Sequence, residues 1–201
     1  MTEFNIEEYL NSLPDDVESI DVSHKNLTYL PDLSRFKNLE VLSCINNELT
    51  SLPILPETLL MLNCSRNKLT SFPVLNMQLI YLNCSNNQLT LFPVVLPQKL
   101  KYFGCSNNQL TSLPYLNNEL YIIDYENNPI YEIIYNKKIK KISVINKNIE
   151  TWNNFRYLYY CLKYKKRFLK LMEAIIKKRY HPSYLNNLTE DDDLDEILNK
   201  W

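Results

Sequence analysis

The chain has 201 residues, two histidines and a single glycine, Gly104, where average usage predicts about fourteen. It therefore holds no glycine-rich phosphate loop or dinucleotide turn, and little material for histidine metal sites or relays. A formal net charge of -1, with 45% hydrophobic and 22% charged residues, describes a globular protein with ample core and argues against a dedicated nucleic-acid binder.

The first residues, MTEFNIEEYLNSLPDD, are acidic and amphipathic, without the basic start and apolar run of a secretory signal. Thr2 is a candidate helix cap, and Ile6, Tyr9, Leu10 and Leu13 follow helical spacing before Pro14. A capping helix is expected over residues 2–13, within an N-terminal segment 1–16. Five cysteines, an odd number, are read as reduced thiols in a cytoplasmic protein. No apolar run approaches the roughly 20 residues of a membrane span.

From residue 17 to 152 the chain repeats itself every 19 to 22 residues. Repeats open at Val17, Leu39, Leu59, Leu79, Leu100, Leu120 and Ile139, seven in all. The central ones read LEVLSCINNELTSLP, LLMLNCSRNKLTSFP, LIYLNCSNNQLTLFP and LKYFGCSNNQLTSLP. Apolar residues at the fourth and sixth positions alternate as in a short strand, and stacking such strands in parallel buries them in one continuous core. The fourth column is Ile20, Leu42, Leu62, Leu82, Phe103, Ile123 and Ile142. The sixth is Val22, Cys44, Cys64, Cys84, Cys105, Tyr125 and Val144.

At the ninth position, Asn47, Asn67, Asn87, Asn108 and Asn128 can adopt a left-handed backbone and bond turn amides, which explains turning without glycine. Prolines 31, 53, 73, 93 and 114 keep the return segments extended, so the convex side should lack regular helices. Lys25 and Lys147 replace the asparagine in the terminal repeats, and Trp152 takes the last core position.

This pattern, LxxLxCxxNxLTxLP, resembles the leucine-rich repeat, in the short 20-residue subtype of bacterial effectors. The resemblance implies an α/β repeat fold: a right-handed solenoid with a parallel concave sheet, a mostly extended convex side and helical caps at both ends. Richness in Asn, Ile, Lys and Tyr also resembles proteins of large amoeba-infecting DNA viruses.

Side chains at the third, fifth and seventh positions should face outward on the concave sheet. The third column places Val41, Met61, Tyr81, Tyr102 and Ile122 in an apolar and aromatic ridge. Beside it lie Asn63, Asn83, Gly104 and Asp124 at the fifth position and Glu126 at the seventh. These ten residues are the candidate partner-binding surface. The plain alternative is that like residues stack along neighbouring strands. Gly104, lacking a side chain, should open a notch beside Tyr102.

Cys44, Cys64, Cys84 and Cys105, in register on successive strands, form a line that cannot surround one metal ion and pairs poorly as disulfides, so they read as core. In residues 153–201, Leu158, Leu162, Leu169, Met172 and Ile176 form a helical seam opposite Lys163, Lys166, Lys170 and Lys177. Thr189 can cap a final acidic helix. This C-terminal helical cap is too short for the large cysteine-dependent ligase domain of the effectors that share the repeat.

The expected function is a non-enzymatic module binding a protein on its concave sheet, with no cofactor, no metal and no catalytic residue. One alternative is an adaptor whose C-terminal helices recruit a second machine such as a ubiquitin ligase. A weaker one is nucleic-acid binding through the basic C-terminal helix.

Overall fold

The structure, a computed structural model, describes residues 4–92, 95–131 and 142–163, of which 156–163 are described by backbone alone. The chain divides into two units, Met1–Asn153 and Asn154–Trp201, and the first contains the N-terminal helix and the whole sheet.

Helix α1 (Ile6–Ser12) begins at Asn5, whose side chain accepts the amide of Glu8 at 3.2 Å. Glu7 and Glu8 occupy its first turn, where carboxylates complement the helix dipole. The helix is thus shorter than expected; Thr2, the anticipated cap, lies outside the described residues, and an asparagine does the same work three residues later. Ile6 and Leu10 are buried against the first repeat, with Phe4, Tyr9 and Leu13 packed beside them. Arg35 of that repeat donates to the carbonyls of Leu10 and Leu13 and pairs with Asp15 at 3.2 Å, placing a cation at the C-terminal end of α1.

Six three-residue strands follow: β1 (Ser19–Asp21), β2 (Val41–Ser43), β3 (Met61–Asn63), β4 (Tyr81–Asn83), β5 (Tyr102–Gly104) and β6 (Ile122–Asp124). They form one parallel sheet in sequence order, and their register aligns identical repeat positions. The sheet continues past each strand through the next amide: Cys44 donates to Asn63 at 2.9 Å, Cys64 to Asn83 at 2.9 Å, and Cys84 to Gly104 at 2.8 Å. Ile20, Leu42, Leu62, Leu82 and Phe103 line the core behind it, as does the cysteine column. Among the described residues no helix lies between β1 and β6, as the repeat prolines predict. The leucine-rich-repeat solenoid inferred from the repeats is therefore the observed fold.

The glycine-free turns divide their work between two residues, where one was expected to do both jobs. The left-handed backbone falls on the eighth position, at His24, Asn46, Arg66, Asn86, Asn107 and Asn127, with φ between 53° and 60°, and in the first repeat also on the tenth, at Asn26. That twist directs the ninth-position asparagine inward. Asn87, for example, accepts the amide of Leu69 at 2.9 Å from the preceding turn. It also donates to the carbonyls of Cys64 at 3.1 Å and Cys84 at 3.0 Å. Asn47, Asn67, Asn108 and Asn128 repeat this bonding, so each side chain ties two turns together. Lys25 can replace the asparagine in the first repeat because no earlier turn needs such a tie; its own amide donates to the side chain of Asn47 at 3.0 Å.

The seventh repeat is not a repeat. Ile142 and Val144, expected on a strand, lie in the first turn of helix α2 (Ile142–Lys163). Ile142, Ile145, Ile149 and Trp152 pack onto the core at helical spacing, while Val144 stays partly exposed. Asn146 is buried, accepting the amide of Leu116 at 2.9 Å and donating to its carbonyl at 2.8 Å. The indole of Trp152 donates to the carbonyl of Thr111 at 2.9 Å. This segment therefore closes the solenoid end as a helix, and the side chain of Asn146 pairs with the backbone as a neighbouring chain would. Ile139, where the seventh repeat was expected to open, lies outside the described residues, as do the seam beyond Lys163 and the acidic helix at Thr189.

Candidate functional site

The outward face of the sheet is built by alternation: with Leu42, Leu62, Leu82 and Phe103 fixed in the core, the flanking residues of each strand point the other way. The register runs Val41, Met61, Tyr81, Tyr102, Ile122 along one column and Ser43, Asn63, Asn83, Gly104, Asp124 along the next. All ten predicted residues thus share this face, Glu126 lying just beyond β6. Met61 is 42% and Ile122 55% exposed, whereas Val41, Tyr81 and Tyr102 are half-buried.

Tyr81 and Tyr102 stack with ring centroids 4.5 Å apart and planes 10° from parallel. This spacing is close to the strand separation, so the stack runs along the sheet. Stacking of like residues therefore accounts for the tyrosines. It does not account for Met61 and Ile122, which flank them in water.

The expected notch at Gly104 is filled. A Cβ there would meet Asn83 Oδ1 at 2.9 Å and both Cε1 and the hydroxyl of Tyr102 at 3.1 Å. Gly104 is buried because the Tyr102 ring lies over it. With no Cβ, Gly104 leaves the ring room to lie down beside Tyr81, and its backbone has no positive φ.

The polar column is internally bonded. Asn63 accepts from the hydroxyl of Ser65 at 2.8 Å, and Asn83 from the amide of Ser85 at 3.1 Å. Strand β5 has no side chain at that position, so Ser106 instead donates across to Asp124 at 2.8 Å on β6. At the other end, bonds from the Ser23 hydroxyl and amide hold the Asp21 carboxyl below its usual range. Burial, then Tyr81 and the Asp124 charge, raise the Tyr102 hydroxyl above the usual phenol value. The outward positions of the six strands and the seventh-position residues after them carry Asp21, Asp124 and Glu126 and no lysine, arginine or histidine.

The four cysteines lie behind the sheet as buried thiols; burial pushes Cys44 up to about 12 and holds Cys64, Cys84 and Cys105 well above the usual thiol value. Among the described residues no three His, Cys, Asp or Glu side chains are grouped to hold a metal ion, and no helix is long and apolar enough to cross a membrane. A second exposed set escaped the sequence reading: Ile54, Val74 and Tyr115, on the return segments. Their signal was present, since each directly follows a repeat proline.

Comparison with known proteins agrees with this geometry. No family model and no curated protein matches the chain. Solved structures do, among them leucine-rich effectors of bacteria. YopM from Yersinia enterocolitica WA-314 is 36% identical with a TM-score of 0.55, the match covering 58% of this chain and 25% of that one. A Shigella effector leucine-rich-repeat domain is 32% identical with a TM-score of 0.55, covering 61% and 54% respectively. YopM from Yersinia pestis, described as a leucine-rich effector protein, is 36% identical with a TM-score of 0.53, covering 55% and 31%. The chain thus spans about half or less of the proteins it matches. These neighbours support a leucine-rich-repeat protein and lend no support to a viral origin.

Proposed function

We propose that the concave sheet of this leucine-rich-repeat solenoid binds a protein partner and that the chain is a non-enzymatic interaction module. The observation that carries this reading is the pair of water-exposed apolar side chains, Met61 and Ile122, set either side of the stacked tyrosines on a preformed surface. The strand backbones are bonded to one another within the sheet, so a partner is recognised by side chains and not by adding a strand. Asparagine ties between successive turns keep the surface rigid, and a rigid surface loses little conformational entropy on binding. In such folds the extended concave face is the usual binding surface. The adaptor reading adds recruitment by residues 153–201, whose side chains lie almost wholly outside the described residues, so the concave face carries the proposal.

The test compares proteins captured from host-cell extract by the wild type and by a Met61→Ser/Ile122→Ser variant, both substitutions being at exposed positions. At least one captured protein should fall by tenfold or more with the unfolding midpoint unchanged. An identical captured set from a folded variant refutes the reading.

A further inference from the structure

The two ends of the tyrosine stack are not alike. One face of the Tyr102 ring is covered by Tyr81 at 4.5 Å; the other is turned along the sheet toward β6, where its register partner is Ile122, 55% exposed. Strand β6 brings Asp124, part-buried and anchored by the hydroxyl of Ser106 at 2.8 Å, and Glu126 stands exposed two residues on. Neither carboxylate forms an ion pair with a lysine or arginine among the described residues, and the outward columns supply no cation. An aromatic face beside an oriented carboxylate is the environment that a planar, weakly hydrated guanidinium fits: it stacks on the ring and donates paired hydrogen bonds to the acid. The compact, strongly hydrated ammonium of lysine fits it less well.

We propose that the β5–β6 end of the concave face receives an arginine side chain from the partner, stacked on Tyr102 and paired with Asp124 and Glu126. This rests on the reading of the concave face as a binding surface and adds the chemistry of the partner. Apolar residues of the same segment then lie over Met61 and Val41, three and four strands away from β6. At about 4.8 Å per strand the arginine and the most distant apolar contact are about 19 Å apart. The partner segment thus carries its arginine at the β6 end, beside the apolar contact to Ile122, and is apolar toward β2.

The experiment uses the full chain as bait for a displayed library of random 16-residue peptides, followed by affinity measurement on the peptides selected. Arginine should be enriched at one end of those peptides. Asp124→Asn/Glu126→Gln should weaken them about tenfold, with the salt dependence of binding reduced. Replacing the peptide's arginine by lysine should weaken binding to the wild type by severalfold. If the peptides are sensitive to Met61→Ser/Ile122→Ser yet bind the Asp124→Asn/Glu126→Gln variant as tightly as the wild type, the arginine assignment is overturned while the concave site stands. If no peptide binds, or none is sensitive to either variant, both fall. A Lys137→Gln/Lys138→Gln/Lys140→Gln/Lys141→Gln variant that binds the peptides more than tenfold tighter makes the chain's own lysines the occupant of the acidic end, which also overturns the proposal.

Discussion

Replacing Asn87 by aspartate isolates the role of one amide nitrogen, because the two side chains have the same shape. The native Oδ1 accepts from Leu69 and the native Nδ2 donates to the carbonyls of Cys64 and Cys84 at 3.1 and 3.0 Å. An ionised aspartate keeps the first bond and sets a second oxygen against two carbonyl oxygens in a buried site. A protonated one keeps the first bond and one donor, losing a single hydrogen bond worth about 1 kcal/mol. The folded chain will therefore hold the proton, which raises the aspartate pKa above its unfolded value near 3.9. Stability is then fully present below about pH 3.9 and is lost as pH rises, by about 1.4 kcal/mol per unit.

At pH 7 the cost of keeping that proton is about 4 kcal/mol, for a total near 5 kcal/mol, unless ionisation becomes the cheaper course first. The assay is urea unfolding followed by circular dichroism from pH 3.5 to 8, with wild type and variant compared at each pH. Asn87→Ala serves as control: it strands the Leu69 amide, costing about 2–4 kcal/mol without pH dependence. A difference between Asn87→Asp and wild type that stays flat across this range, or that falls below about 1 kcal/mol at pH 7, refutes the account of the asparagine ties.

Arg66 is the one eighth-position residue of the second to sixth repeats that is not asparagine, so Arg66→Asn should raise stability by about 0.5 kcal/mol and the melting temperature by about 1–2 °C, read by calorimetry. Arg66→Val, β-branched at positive φ, should lower both. The buried thiols have folded pKa values raised above the unfolded value near 8.5, so their contribution is intact below that pH and lost above it. Cys84→Ala should accordingly lose less stability than wild type between pH 8.5 and 10.5, by about 1.4 kcal/mol per unit in denaturant titrations; parallel curves would count against a buried thiol. Gly104→Ala should push Tyr102 off the stack, changing the tyrosine near-ultraviolet circular dichroism and costing about 1–2 kcal/mol. Arg35→Ala removes the cation from the end of α1 and should destabilise the N-terminal cap by about 1–2 kcal/mol, seen as faster amide exchange in residues 6–12.

The places where sequence reasoning fell short share a cause. The string ISVINKNIETW satisfies a strand-like alternation at Ile142 and Val144 and a helical face at Ile142, Ile145, Ile149 and Trp152 equally well. Continuing the repeat favoured the first; the solenoid end, which must cover its core with no further strand to pair, selected the second. The turn was assigned wholly to the ninth-position asparagine, with backbone twist and bonding merged in one residue, because asparagine stands at both the eighth and ninth positions and suits either. Arg66, a residue without asparagine's tolerance of positive φ, shows that the eighth position is left-handed because the turn requires it, whatever residue stands there. The notch at Gly104 failed for a different reason: sequence shows a missing side chain but not where its neighbour's ring comes to rest.

The repeats by themselves determined the fold, the sheet register, the burial of the cysteines and the membership of the concave face, because a 20-residue period with alternating apolar positions admits one way of stacking. What they could not determine is set by side-chain direction and by the ends of the array. Tertiary structure decided that Tyr102 lies over Gly104, that Ser106 turns to Asp124 once Gly104 offers it no acceptor, and that a helix closes the core after β6. Each of these depends on what stands in the neighbouring turn, and periodicity carries no information about the place where the period breaks.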